Sequence, residues 1–203
     1  MDESTAAPTQ LSFPRLHRYV AQLADGLDSY PECRAKASVH RGVLELSARQ
    51  LEGLPPVLQA LVDDPPPANT WIPQCQTLAL VLAAIELQEN DEQHEHAWTQ
   101  RAAAHVFDSP MYRILMWAST PRLLFKGANL RWSAFFKGSS LEAVLGDRTA
   151  EIILSCPATL FSQDVAEVFE DVLKAAANFT EEGRGAIELE LYRPGEIVYR
   201  ARW

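Results

Sequence analysis

The spacing of apolar residues changes period once along this chain of 203 residues, and that change limits the folds open to it. Up to Lys137 the apolar side chains recur at helical spacing. From Ser139 onward they alternate: Leu141, Ala143 and Leu145 fall on one face of a strand. After a turn at Gly146-Asp147, Ala150, Ile152, Leu154 and Cys156 fall on one face of a second. Val165, Val168, Phe169, Val172 and Ala176 then form a helical stripe, with Ser162 as its N-cap and Asp164 in the first turn. Two more alternating runs follow, Ile187, Leu189 and Leu191, then Ile197, Tyr199, Ala201 and Trp203. The pattern predicts an α+β fold. A helical block over 12–137 precedes a ββαββ unit over 139–203, which makes a four-stranded antiparallel sheet. Helix 162–178 or the N-terminal helices cover one of its faces. Residues 12–203 read as one domain, and residues 1–11 as a flexible arm.

Proline marks the helix starts, because it is tolerated in the first turn. Ser12-Phe13-Pro14 opens a helix to about Asp28, and Tyr30-Pro31 a second to about Gln50. Leu54-Pro55-Pro56 opens a short one ending near Val62, and Asp64-Pro65-Pro66-Pro67 is a linker. Trp71-Ile72-Pro73 precedes a helix over Gln74 to Gln88 that is apolar nearly all round and therefore central. Asn90 or Asp91 caps a helix to Phe107, Ser109-Pro110 starts the next, and Thr120-Pro121 the last, which Gly127 divides.

Face parity sets the register of the last two strands. A three-residue loop, Pro194-Gly195-Glu196, puts Arg193 opposite Ile197, Glu190 opposite Arg200 and Glu188 opposite Arg202. Such opposite-charge pairs contribute roughly 0.2–1 kcal/mol each.

Eighteen basic against 27 acidic residues give a formal charge of −9, which argues against a non-specific nucleic-acid binder. The longest apolar run, Leu78 to Ile85, is far below the roughly 20 residues of a membrane span. Met1-Asp2-Glu3-Ser4 has neither the basic start nor the apolar run of a secretory signal. The three cysteines, Cys33, Cys75 and Cys156, are widely spaced and form no Cys-x-x-Cys pair. A reducing, cytoplasmic setting is expected. Gly183-Arg184-Gly185 lacks the third glycine of a dinucleotide loop and precedes a strand.

His94, His96 and His105 are the sharpest polar cluster. His94 and His96 lie about 200° apart on a helix, and His105 is roughly 16 Å from His94 along it. No single metal spans that distance, so no metal site is expected, and Glu92 with His96 reads as a surface pair. The aromatic density is more informative. Trp98, Phe107, Tyr112, Trp117, Phe125, Trp132, Phe135 and Phe136 crowd one stretch. Such a set fills a helical core or lines an apolar pocket. The predicted ligand-binding residues are Trp98, Trp117 and Trp132 as walls, with His105, Tyr112 and Arg113 as polar groups that orient a ligand. Cys156 reads as a buried, inert thiol. Arg113, Arg122, Lys126, Arg131 and Lys137 form a locally basic stretch that suits an anionic group or an acidic partner.

Helices followed by ββαββ in about 200 residues resemble the ligand-binding fold of haem nitric-oxide sensor domains, 4-vinyl-reductase-type domains and Bet3-type Golgi transport subunits. Tyr30-Pro31-Glu32-Cys33, Trp71-Ile72-Pro73, Pro110-Met111-Tyr112-Arg113, and Trp132 followed by Phe136-x-Gly138 also resemble a paralogous myxobacterial family. The resemblance implies a small-molecule site or helical faces used for dimerisation. Haem sensors of this fold carry Tyr-x-Ser-x-Arg from the second strand, where this chain has Ser155-Cys156-Pro157-Ala158-Thr159. No haem, and no other cofactor, is therefore expected. The expected function is a non-enzymatic regulatory or signalling module that binds a small apolar molecule or a protein partner. The alternative is a homodimeric adaptor working through protein contacts alone. An enzyme using Cys156 or His105 is a third candidate, which requires a carboxylate or a second histidine beside one of them.

Overall fold

The computed structural model describes residues 13–47, 51, 53–88, 92–110, 112–116, 120–180 and 185–203. The expected arm at 1–11, the cap at Asn90 or Asp91, and Trp117 lie outside these. The helical block runs α1 (Pro14–Gln22), a 3-10 turn (Gly26–Asp28), β1 (Arg34–Lys36), α2 (Ala37–Ser47), α3 (Pro56–Asp63) and β2 (Trp71–Pro73). It continues with α4 (Gln74–Glu86), α5 (Glu92–Phe107), α6 (Arg113–Met116), α7 (Pro121–Lys126), α8 (Ala128–Phe135) and β3 (Phe136–Lys137). Then come β4 (Ser140–Leu145), β5 (Thr149–Ser155), α9 (Gln163–Asn178), β6 (Ala186–Arg193) and β7 (Glu196–Arg202). The α+β architecture and the ββαββ unit are those expected. The four strands lie antiparallel in the order β4-β5-β7-β6.

Several boundaries hold for the physical reason given. Thr120 and Ser162 accept from the backbone N–H groups of Leu123 and Val165, so both helix starts are side-chain capped. Gly127 separates α7 from α8. α4 begins at Gln74 as expected, but Pro31 does not open the second helix, which begins at Ala37 after a short strand. Arg34–Lys36 pairs with Trp71–Pro73 on one side and with Phe136–Lys137 on the other, a small sheet in the order β2-β1-β3. Ile72, just before Pro73, takes the extended backbone that proline favours there and pairs with Ala35, whereas Tyr30, before Pro31, has φ +54°. Lys36 of β1 and Lys137 of β3 each stand 4.2 Å from the Trp71 ring, in two cation–π contacts. The first helix ends at Gln22, short of Asp28, and the one expected at Ser109-Pro110 begins at Arg113.

The register of the last hairpin is a correction. Pro194-Gly195 is a two-residue turn, Gly195 taking φ +91° as the residue after proline, and Arg193 faces Glu196. A two-residue turn alone would put apolar side chains on the wrong face. A bulge between Leu189 and Leu191 inserts Glu190 and restores the parity. Leu189 then faces Tyr199, and Glu188 faces Arg200 where Glu190 was expected. Ala186 faces Arg202. Glu190 still reaches Arg200 at 2.6 Å, from within the bulge. Beyond it Leu191 turns outward, 41% exposed, and Tyr192 turns in to donate to the Phe161 carbonyl.

The inner face of the sheet, including Ala150, Ile152, Leu154, Ile197, Tyr199 and Ala201, is buried. α9 covers the β6 side, and α7 and α8 cover the β4 side. Tyr199 donates to the Ala166 carbonyl of α9 at 2.9 Å. Tyr19 of α1 donates to Leu160 O at 2.9 Å, so the first helix is tied to the strand half. α4 is the central helix, as its all-round apolarity requires.

Some side chains in this core are polar. His40 and Ser47 on α2, and Gln74 and Thr77 on α4, are buried with side-chain N and O atoms that have no partner among the described residues. Burial, reinforced by Arg41, pushes the His40 imidazole down to about 4. Between about pH 6.5 and 4 the unfolded chain therefore binds a proton that the folded chain refuses, and stability falls as pH falls through that window. A His40→Met variant should lose less stability between pH 7 and pH 4 than the parent, by up to ~3 kcal/mol from the size of the shift. Urea unfolding at a series of pH values checks this, and parallel pH curves for the two proteins would contradict it.

Candidate functional site

Where α2, α4, α5, α8 and α9 converge, the core contains a cavity of about 140 Å³. Val39 and Val43 come from α2, Leu78 and Val81 from α4, and Trp98, Ala102 and Val106 from α5. Trp132 and Phe135 come from α8, and Val168, Phe169 and Ala176 from α9. Thr99 and Arg131 are the polar side chains among its described lining residues.

Two of the sequence-predicted residues, Trp98 and Trp132, are walls of this cavity, both nearly fully buried. Trp132 stacks on Phe136 at 4.3 Å, and its indole N–H donates to Ser139 at 3.0 Å, which fixes the ring. The polar residues expected beside them are elsewhere. His105 faces a shallow surface hollow, where Nε2 meets Glu45 Oε2 at 2.5 Å, both side chains about half exposed. Tyr112 lines that same hollow, its hydroxyl 2.7 Å from Ser38 Oγ and its ring on Phe135 at 4.2 Å. Arg113 is exposed and pairs loosely with Asp108 at 3.6 Å.

The basic stretch also disperses. Arg122 donates to the Gly146 carbonyl, Lys137 covers Trp71, and Arg131 turns into the cavity wall. Arg131 is the wall residue that grouping by charge concealed. Leu124, Ala128, Arg131 and Phe135 recur at spacings of four, three and four, and all four line the cavity. The helical stripe was the signal that places it there.

Cys156 does not present a thiolate. Burial pushes its thiol, and that of Cys33, up to about 11, so both remain protonated at neutral pH. His105 does have the carboxylate neighbour that a catalytic role requires, in a solvent-exposed pair.

A second depression, between α5 and α9, is polar: Arg15, Glu95, His96, Asp164, Glu167 and Asp171 line it. Much of its charge is already matched. Arg15 pairs with Glu95 at 2.8 Å and Arg18 with Asp164 at 3.1 Å. His96 Nδ1 meets Asp171 Oδ2 at 2.5 Å, so this histidine joins α5 to α9. Gln100 and Lys174 reach the other Asp171 oxygen at 3.2 and 3.5 Å. Asp171 is buried, so its carboxylate is a structural anchor between the two helices. The apolar cavity, with no such internal claims on it, is the better ligand site.

No protein-family description matches the chain, and no curated protein matches it. Solved structures do. An oxygen-binding H-NOX domain related to soluble guanylate cyclases superposes with a TM-score of 0.52 at 10% identity, over 82% of this chain and 94% of that one. A Cs H-NOX carrying 4-cyano-phenylalanine gives 0.52 at 13%, over 82% and 95%. A Tt H-NOX variant gives 0.51 at 12%, over 82% and 94%. The chain shares the H-NOX fold. At these identities the likeness concerns the fold alone.

The residues do not suit the haem of H-NOX sensors. Haem iron takes histidine, cysteine, methionine or tyrosine as axial ligands. Among the described lining residues there is no histidine, cysteine or tyrosine, and Met116 is the one such side chain. The cavity is also near the ~150 Å³ that holds a single benzene, far below the roughly 300–1,000 Å³ of sites for larger ligands.

Replacing Asp171 by alanine strips three polar side chains of a buried acceptor at the α5–α9 contact. An Asp171→Ala variant should lose ~3 kcal/mol of stability. The urea midpoint measures it; a loss below ~0.5 kcal/mol would show the network to be dispensable.

Proposed function

We propose that this protein is a non-enzymatic regulatory or signalling module that binds a small apolar molecule in the core of an H-NOX-like fold. The observation that carries this reading is the cavity between the helices. It is lined by aliphatic and aromatic side chains, and its Trp132 ring is held by the indole N–H bond to Ser139. A dry apolar void of this size loses dispersion contacts along its whole lining, and a ligand of matching shape restores them. Its volume selects one ring or a short aliphatic body. The H-NOX likeness supports a fold able to hold small molecules, and the oxygen-binding neighbour is one such protein. This chain performs that task with a different lining and without haem.

Benzene is the simplest probe. It should raise the thermal midpoint in proportion to its occupancy, since it binds the folded state only. Enlarging the side chain at Ala102, as in Ala102→Leu, fills the void and should abolish that rise. Added hemin should give no Soret shift characteristic of specific axial ligation. A benzene-independent midpoint in the parent would refute the ligand reading.

The alternative, a homodimeric adaptor, draws on exposed apolar side chains of α6, α7 and α8. Ile114 is 86% exposed, Leu130 68% and Leu123 50%. Surfaces of this kind are often covered by a partner. If they are, light scattering should give the mass of two chains at micromolar concentration, and Leu130→Glu should return the mass of one.

A further inference from the structure

We propose that the outer face of the β2-β1-β3 sheet is a binding site for a small soluble phosphomonoester, held by Arg34, Lys36 and Lys137 beside Trp71. The register puts these side chains together. In β1, Ala35 is buried, and Arg34 and Lys36 on either side of it face outward. In β2, Ile72 is buried between Trp71 and Pro73, and in β3, Phe136 is buried and Lys137 exposed. Lys36 lies opposite Trp71, and Arg34 opposite Lys137. The Nζ atoms of Lys36 and Lys137 both stand 4.2 Å from the Trp71 ring centre, so they lie no farther apart than twice that distance. Backbone carbonyls hold two of the cations in place. Lys36 Nζ donates to the Asn69 carbonyl at 2.7 Å, and Arg34 Nε to the Pro31 carbonyl at 2.8 Å. The Arg34 bond uses Nε and leaves both Nη groups for a ligand.

Three positive charges on so small a sheet repel one another. Like charges directly opposite, as Arg34 and Lys137 are, destabilise a strand pair. Among the described residues no carboxylate pairs with any of the three. Glu32, the nearest acidic residue in sequence, meets Cys33 Sγ at 4.0 Å instead. Elsewhere the chain does match its cations: Arg18 with Asp164, Lys174 with Glu170, and Arg200 with Glu190. The uncompensated charge selects the ligand. A monoanion offsets one of the three charges and a phosphate dianion two. The terminal phosphate oxygens suit the Arg34 fork and the lysine point charges together. The patch is small and the chain as a whole carries −9, so a bilayer or a nucleic acid would meet repulsion around it. A compact soluble anion meets the cations alone. The site is separate from the cavity, which Phe136 lines from the buried face of β3.

Phenyl phosphate and phenyl sulfate share a shape and differ in charge at about pH 8, above the second phosphate pKa of about 6. Calorimetry at constant ionic strength should give phenyl phosphate at least ~tenfold the affinity of phenyl sulfate. The Trp71 indole N–H resonance, identified with Trp71→Phe, should shift as the ammonium groups leave the ring for the phosphate. Lys36→Met and Lys137→Met should each weaken phenyl phosphate ~tenfold or more. Arg193→Met, which removes an exposed cation of the other sheet, should leave it unchanged. Thermal midpoints without ligand report folding, and if a methionine variant does not fold, glutamine at the same position replaces it. Equal affinities for phenyl phosphate and phenyl sulfate overturn the proposal, and so does an absence of phenyl phosphate binding at millimolar concentration. A loss in Arg193→Met as large as in the lysine variants also overturns it, because net charge alone then governs binding. If the protein binds vesicles containing phosphatidic acid but not phenyl phosphate, the small-ligand assignment is wrong.

Discussion

The burial of α4 is the constraint to which the other elements answer. Eleven of its thirteen residues are buried. A helix without a solvent face must be covered on every side, and α1, α2, α3, α5 and α9 all pack on it. Its ends supply order to its neighbours. Glu86, at the C-terminal end, accepts from the Arg15 and Leu16 backbone N–H groups and so caps α1, whose own N-cap, Phe13, has no side chain able to do so. At the other end Gln74 donates its backbone N–H to Cys33, which anchors the small three-stranded sheet.

The cavity follows from how those covering helices meet. Ala102, Ala103, Ala128 and Ala176 stand where larger side chains would fill the space. The large side chains around them are restrained from collapsing inward. Trp132 is tied to Ser139, and Phe107 is wedged edge-on between Phe135 and Phe179 at about 6 Å. Closing the void requires breaking those bonds or moving α5 against α9, which the His96–Asp171 contact resists. Packing at ordinary interior density is therefore interrupted here.

Much of this is legible from the sequence and some is not, for reasons that differ by residue. The period change at Gly138, the Ser162 and Thr120 caps and the apolarity of Gln74–Glu86 are local signals, and each specifies the element it marks. Arg34–Lys36 and Phe136–Lys137 are too short to show a period, and they become strands only because the fold brings them together. The bulge at Glu190 escapes parity reasoning because it is the means by which parity is repaired after a two-residue turn. The site is half legible. Trp98 and Trp132 declare themselves by aromatic density, whereas His105 and Tyr112 face a surface hollow and Arg113 is exposed. α9 supplies Val168, Phe169 and Ala176 from the far half of the chain, a contribution that no local pattern contains.

Arg131 shows why charge and position must be read together. Counted among basic residues, it belongs to a stretch that could meet an acidic partner. Placed on its helix, it occupies the same stripe as Ala128 and Phe135, and a cation in a core-facing stripe carries a desolvation cost that something must offset. Two carbonyls offset part of it, and they lie on different segments, one preceding α7 and one within it. The fold shared with H-NOX domains sets where the void is. The size and apolarity of the lining set what can enter it.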